Sequence, residues 1–101
     1  MSYPTLLPAY ADQFEEASIE AWRARNKFGD QEHLTDLEWL AVLAEEFGEA
    51  AMHVTKTSVR PVTDDLPAAE LVKELRQVAA VAVRWIAVIE GRSPALEGGE
   101  G

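Results

Sequence analysis

The chain has 101 residues, enough for one domain around a single core. Nine Lys and Arg stand against 18 Asp and Glu, so the net charge is -9 and the pI about 4.5. That balance excludes general binding to nucleic acid or to an anionic membrane surface, which need clustered cations, and the absence of cysteine excludes disulfides, thiol catalysis and thiolate metal sites.

Hydrophobic residues make up 48% of the chain, with six glycines and five prolines, a folding composition. The start Met1-Ser2-Tyr3-Pro4 lacks the basic and apolar regions of a signal peptide. The longest apolar run, Val78 to Ile89, contains Arg84 and is shorter than the roughly 18–20 residues of a membrane span. The expectation is a cytoplasmic protein with no membrane and no nucleic-acid partner.

Helical spacing dominates, and no sustained period-two run occurs. A first helix is predicted from Leu6 to Asn26, or from Pro8, since proline is tolerated only in a first turn. Its apolar stripe is Tyr10, Phe14, Ala17 and Ala21, with Asp12, Glu15, Glu16 and Glu20 toward water; Gly29 ends it. A loop follows over 28–34. Thr35-Asp36-Leu37-Glu38 then reads as a capping box that starts a second helix running to Lys56. The predicted core stripe of this helix is Leu40, Leu43, Phe47, Ala51 and Val54.

Thr57 to Leu66 reads as a loop, and the cations Lys56 and Arg60 are read as solvated charges in preference to groups that close on phosphates. A third helix is predicted from Pro67 to Gly91, with Leu71, Leu75 and Val78 inside. From Val78 to Ile89 only Arg84 is polar, and a helix apolar all round must be buried all round. Three helices of a short chain cannot wrap it, so a homo-oligomer, dimer or tetramer, is expected. Arg84 within that run needs a partner, and an acidic residue across the oligomer is preferred to a phosphate. The domain is therefore 1–91, with a flexible tail over 92–101. The predicted class is all-α: a hairpin or bundle of about three main helices completed by oligomerisation.

Chemistry concentrates on two helix faces. Trp39, Val42, Glu46, Glu49 and His53 form a second stripe on the second helix, beside its core stripe. Glu70, Glu74 and Gln77 share a face of the third helix. Like charges beside buried stripes repel, and a cation relieves the repulsion. Hard oxygen ligands favour Mg²⁺, with Mn²⁺ as an alternative, and such a cation suits phosphate-ester or anhydride chemistry. The same spacing also occurs on solvated acidic helices. Trp39 lies two turns from Glu46, about 10 Å at 1.5 Å per residue, the reach from a triphosphate to its base. It is read as a base-stacking residue or a core residue. His53 is expected at the surface or an interface.

The motifs Lys27-Phe28-Gly29-Asp30-Gln31-Glu32-His33, Trp39-Leu40-Ala41-Val42-Leu43-Ala44-Glu45-Glu46-Phe47-Gly48-Glu49-Ala50 and Glu74-Leu75-Arg76-Gln77 resemble the MazG-like all-α nucleoside triphosphate pyrophosphohydrolases. The resemblance spans about Arg23 to Ile89. Its signature is EExxE on one helix and ExxD on the next. It implies metal ligands at Glu46, Glu49, Glu74 and Gln77, and catalytic roles for Glu45 and Glu46. It also implies substrate contacts at Lys27, Gln31 and Trp39. The implied reaction is Mg²⁺-dependent hydrolysis of a nucleoside triphosphate to monophosphate and pyrophosphate, as in removal of non-standard nucleotides. Gln77 departs from the signature aspartate, which lowers the ion affinity implied; Glu70 is a candidate to restore the charge. The alternative expectation is a catalytically weak or inactive helical dimer that binds nucleotides or a partner protein.

Overall fold

The computed structural model describes residues 7–57 and 65–92; within them the side chains of 56, 57 and 65–67 are not described. Three helices account for these residues: α1 (Pro8–Phe28), α2 (Asp36–Thr57) and α3 (Asp65–Arg92). No strand occurs among the described residues. The boundaries follow local chemistry. Pro8 opens α1 at a position where no intrahelical N–H is needed, and the Leu7 carbonyl accepts the Tyr10 and Ala11 amides. Gly29 closes α1 at φ +77°, its N–H donating to the Arg25 carbonyl at 2.7 Å.

The capping box forms as expected. The Glu38 N–H donates to Thr35 Oγ1 at 3.1 Å, and the Thr35 N–H donates to Glu38 Oε1 at 3.0 Å. Asp36, at the first position of α2, accepts from Trp85 Nε1 at 2.9 Å and from Arg92 Nη1 at 2.8 Å. These bonds hold the start of α2 against the end of α3, so the two helices run antiparallel. They also lower the Asp36 carboxyl below its ordinary value, the Trp85 bond first, opposed by desolvation, then Arg92. Helix α3 begins two residues before the predicted Pro67 and extends through Arg92, the residue with which the predicted tail began. Residues 58–64 and 93–101 lie outside the described residues, and with them most of the predicted loop, Arg60 and the rest of the tail.

Helix α3 packs against both α1 and α2, which do not touch each other. The radius of gyration is 16.3 Å, against about 13 Å for a closed domain of this length. The helices thus form an open arrangement with α3 in the middle. Ala17, Trp39, Ala50, Ala80 and Val81 are the buried apolar residues. Four of the five are small, which brings the helix backbones close but leaves little apolar volume between them.

The helix faces differ from the predicted ones. On α2 the buried or half-buried residues are Trp39, Val42, Leu43, Glu46, Gly48, Ala50 and His53. Of the stripe predicted as core only Leu43 is partly covered, while Phe47 is 64% exposed and Leu40 50%. On α1, Tyr10 and Phe14 are exposed, whereas Glu16 and Glu20, predicted toward water, are half-buried. On α3, Leu75, Val83 and Ile86 are about half exposed. The physical reason is that α2 and α3 are fastened by Trp39 burial and the Asp36 bonds, and these fix rotation independently of which stripe is most apolar.

Replacing Thr35 by Ala removes the hydroxyl acceptor of the capping box, an effect of about 1 kcal/mol for such caps. Urea unfolding of Thr35→Ala is expected to show that loss with an unchanged m-value.

Candidate metal centre

Helix α2 presents Glu46 and Glu49 one turn apart, and antiparallel α3 brings Glu74 opposite them. One carboxylate oxygen from each of the three lies within 4.8 Å of the others. The cluster joins Glu49 and Glu74, separated in sequence by residues 50–73, and exists only because the two helices pack with these faces inward. Glu46 and Glu74 are half-buried, and Glu49 is exposed. His53, one turn beyond Glu49, places Nε2 4.0 Å from Glu74 Oε1. A hollow of about 230 Å³ beside the cluster is lined by Glu49, Met52, His53 and Glu74.

The electrostatics are those of anions held against their repulsion. Desolvation, followed by the charges of Glu49, Glu74 and Glu45, pushes the Glu46 carboxyl above its ordinary value. The Glu49 carboxyl is also raised, chiefly by a hydrogen bond shared with Glu74 and by the Glu74 charge, with desolvation adding and His53 opposing. Either a proton or a cation answers this excess charge. The donor set is all carboxylate oxygen, which fits a hard divalent cation such as Mg²⁺ or Mn²⁺. Glu46, Glu49 and Glu74 are the residues that would hold it.

The remaining sequence-assigned residues fall into three groups. Glu45 is exposed and outside the triad, and Glu70 is half-buried one turn before Glu74 without joining it. Gln77 lies on the α1 side of α3, where its Nε2 donates to Glu20 Oε2 at 2.7 Å. Glu20 also accepts from Arg23 at 2.6 Å. Sequence spacing put Glu20 in water; only the rotation of α1 on α3 reveals it beside Gln77. His53 was visible in the sequence as the end of the Trp39–Glu49 stripe, but a single histidine gave no reason to join it to the carboxylates.

The proposed substrate contacts sit elsewhere. Trp39 is 0% exposed, with the Arg84 guanidinium 5.2 Å from its ring, so it is a core residue and offers no open face to a base. Its Nε1 is buried without an acceptor. Gln31 stands at φ +55° and accepts from Arg84 Nη2 at 2.5 Å; Lys27 Nζ lies over the adjacent Phe28 ring at 5.1 Å and is exposed. The acidic partner expected for Arg84 is one across the oligomer; among the described residues of this chain its hydrogen-bond acceptors are Gln31 Oε1 and, at 3.4 Å, the Gly29 carbonyl.

Comparison of the chain with protein-family models, with curated proteins and with solved structures finds no match. Among the described residues no helix is long and apolar enough to cross a membrane.

The raised carboxyls predict a pH dependence. Folding raises the proton affinity of Glu46 and Glu49, so their unfavourable contribution is absent below the ordinary glutamate value of 4.5 and grows as pH rises through the folded values. In EDTA, Glu46→Gln and Glu49→Gln are each expected to melt higher than the parent at neutral pH, the difference shrinking toward pH 4.5. Thermal melts across that range check it; equal melting at neutral pH would remove the repulsion argument.

Proposed function

We propose that the protein is a Mg²⁺-dependent nucleoside triphosphate pyrophosphohydrolase of the MazG-like kind, acting on nucleotides as a helical homo-oligomer. The observation that carries this reading is the convergence of Glu46, Glu49 and Glu74 within 4.8 Å from two helices. It coincides with the positions at which the EExxE and ExxD-like motifs resemble that family. Oxygen ligands of this kind leave room for substrate phosphates on the same ion.

When bound, the cation neutralises charge on the departing pyrophosphate. The chain's own contribution is to hold three carboxylates in one place before substrate arrives, so the repulsion is already present when the ion enters. Water then cleaves the bridge between the α- and β-phosphates, giving monophosphate and pyrophosphate. Glu45, next to the triad but outside it, is suited to orient that water and accept its proton. Mn²⁺ is the natural substitute ion, having the same preference for oxygen.

The homo-oligomer rests on uncovered apolar surface. Tyr10, Phe14, Leu40, Phe47 and Ile86 are each at least 50% exposed and spread over all three helices. Exposure on that scale is uncommon for a chain that works alone. A second copy covering these faces would supply the apolar volume that the small residues between the helices do not.

A second reading is favoured by one observation. Gln77, where the motif has aspartate, is engaged by Glu20 through its amide nitrogen. This leaves three formal charges for the ion and supports a catalytically weak dimer that binds nucleotides or a partner protein.

A panel of ribo- and deoxyribonucleoside triphosphates with Mg²⁺ or Mn²⁺, assayed for pyrophosphate, separates the readings. Glu46→Ala and Glu49→Ala are expected to abolish pyrophosphate release while leaving the helical circular dichroism intact. Turnover unchanged in both rejects the assignment, and nucleotide binding without turnover in the parent selects the second reading. In parallel, light scattering of the full chain is expected to give a dimer or tetramer; a monomer at micromolar concentration would overturn the assembly.

A further inference from the structure

At the far end of the molecule from the triad, α1, the loop over 29–35 and the last turns of α3 line an open cavity of about 520 Å³. Arg84 is ten residues beyond Glu74 on α3, about 15 Å along the axis, and none of the triad lines this space. The walls are mostly apolar: Trp22 from α1 and Val83, Ala87 and Val88 from α3. A volume of this size lies within the range of small-molecule sites, roughly 300–1,000 Å³.

The charges at the cavity are unequal in their partners. Arg25 Nε is bonded to Asp30 Oδ1 at 2.6 Å, and Arg92 Nη1 to Asp36 Oδ1 at 2.8 Å. Arg84, half-buried, has only the neutral acceptors Gln31 and Gly29, and its Nε and Nη1 donate to nothing among the described residues. Desolvation lowers the Arg84 value from the ordinary arginine value, partly opposed by the nearby charge of Asp30, which is already spent on Arg25. A guanidinium held by neutral groups at the edge of an apolar cavity is a receptor for an anion. Glu32 also lines the cavity, and its charge disfavours a dianion more than a monoanion.

We propose that this cavity binds a small amphipathic organic carboxylate, with the carboxylate on Arg84 and a flat apolar body against Trp22, Val83 and Val88. The guanidinium fork matches a planar carboxylate, and the apolar wall supplies the larger share of contact. Gln31 acts as the positioning residue. Its left-handed backbone, unusual for a residue with a side chain, turns its amide oxygen onto Arg84 and fixes the guanidinium in place. The site does not depend on the triad holding a cation, so its fate and that of the hydrolase reading are separate.

Naphthoate is the probe and naphthamide its uncharged counterpart, followed in the full chain by the Trp22 indole N–H and the Arg84 Nε–H in proton–nitrogen correlation spectra. Naphthoate is expected to give saturable shifts at both groups, and naphthamide to bind at least about tenfold more weakly, as loss of one charge-assisted contact requires. Arg84→Met should lose the same factor. Because Arg84 also contacts Trp39 and that variant can fail to fold, Ala87→Phe provides the second test. Ala87 is exposed, so a ring there obstructs the cavity without entering the core, and naphthoate binding is expected to vanish with the melting temperature unchanged. Equal binding of naphthoate and naphthamide, unchanged affinity in Ala87→Phe, or the absence of saturable shifts at Trp22 would each overturn the proposal.

Discussion

Burial of Trp39 is the constraint on which the rest of the α2–α3 arrangement depends. It is the only large side chain among the described residues with no exposed surface, and truncating such a residue costs about 3–5 kcal/mol. Its orphaned N–H costs about 1–3 kcal/mol, so the burial remains favourable. Once Trp39 faces α3, the helical repeat dictates that Glu46, seven residues on, faces α3 as well, with Glu49 and His53 one and two turns further. The carboxylates are therefore carried inward by an aromatic anchor two turns away. Their mutual repulsion is tolerated because the anchor and the Asp36 bonds to Trp85 and Arg92 hold the same two helices from the other end.

Helix α3 consequently carries two opposite chemistries along its length. Its first half meets α2 at a group of anions that favours a proton or a cation. Its second half meets α1 and the 29–35 loop at a group of guanidiniums, of which Arg84 has no carboxylate hydrogen-bonded to it. The anions lie between α3 and α2 and the cavity between α3 and α1, while the end of α3 is also tied to the start of α2 through Asp36. A chain of net charge -9 thus still concentrates cations locally, which total composition conceals.

Much of the fold was legible from local chemistry. Pro8, Gly29 and the Thr35–Glu38 pair determine where the helices begin and end through backbone rules that need no tertiary information, and these positions agree with the structure. The triad was legible for a related reason, since Glu46, Glu49 and Glu74 lie on helix faces whose spacing is set by the helix alone. Which face turns inward was not legible. On α2 two neighbouring stripes compete, and apolar content favours Leu40, Phe47 and Val54. The helix instead turns the mixed stripe of Trp39, Val42 and Glu46 toward α3. Periodicity identifies stripes but carries no information on which neighbour covers each, and a chain with more apolar faces than its own helices can cover makes that choice ambiguous. Glu20 turns from water toward α3 for the same reason, and spacing alone does not distinguish a ligand-facing Trp39 from a core one.

Gln77 takes on a physical sense beside Glu20. An aspartate at 77 would direct an acceptor-only carboxylate toward Glu20, and two acceptors cannot bond each other without a proton. The amide removes that conflict by donating to Glu20 Oε2 at 2.7 Å, and the Arg23 guanidinium closes on Glu20 Oε1. The exchange of carboxylate for amide therefore converts what would be a further repulsion around the middle of α3 into a cross-helix tie. Apart from it, α1 is joined to α3 in that stretch by the Arg76–Gln13 bonds at the exposed edge. The neutral residue at 77 answers to Glu20 as much as to any ion.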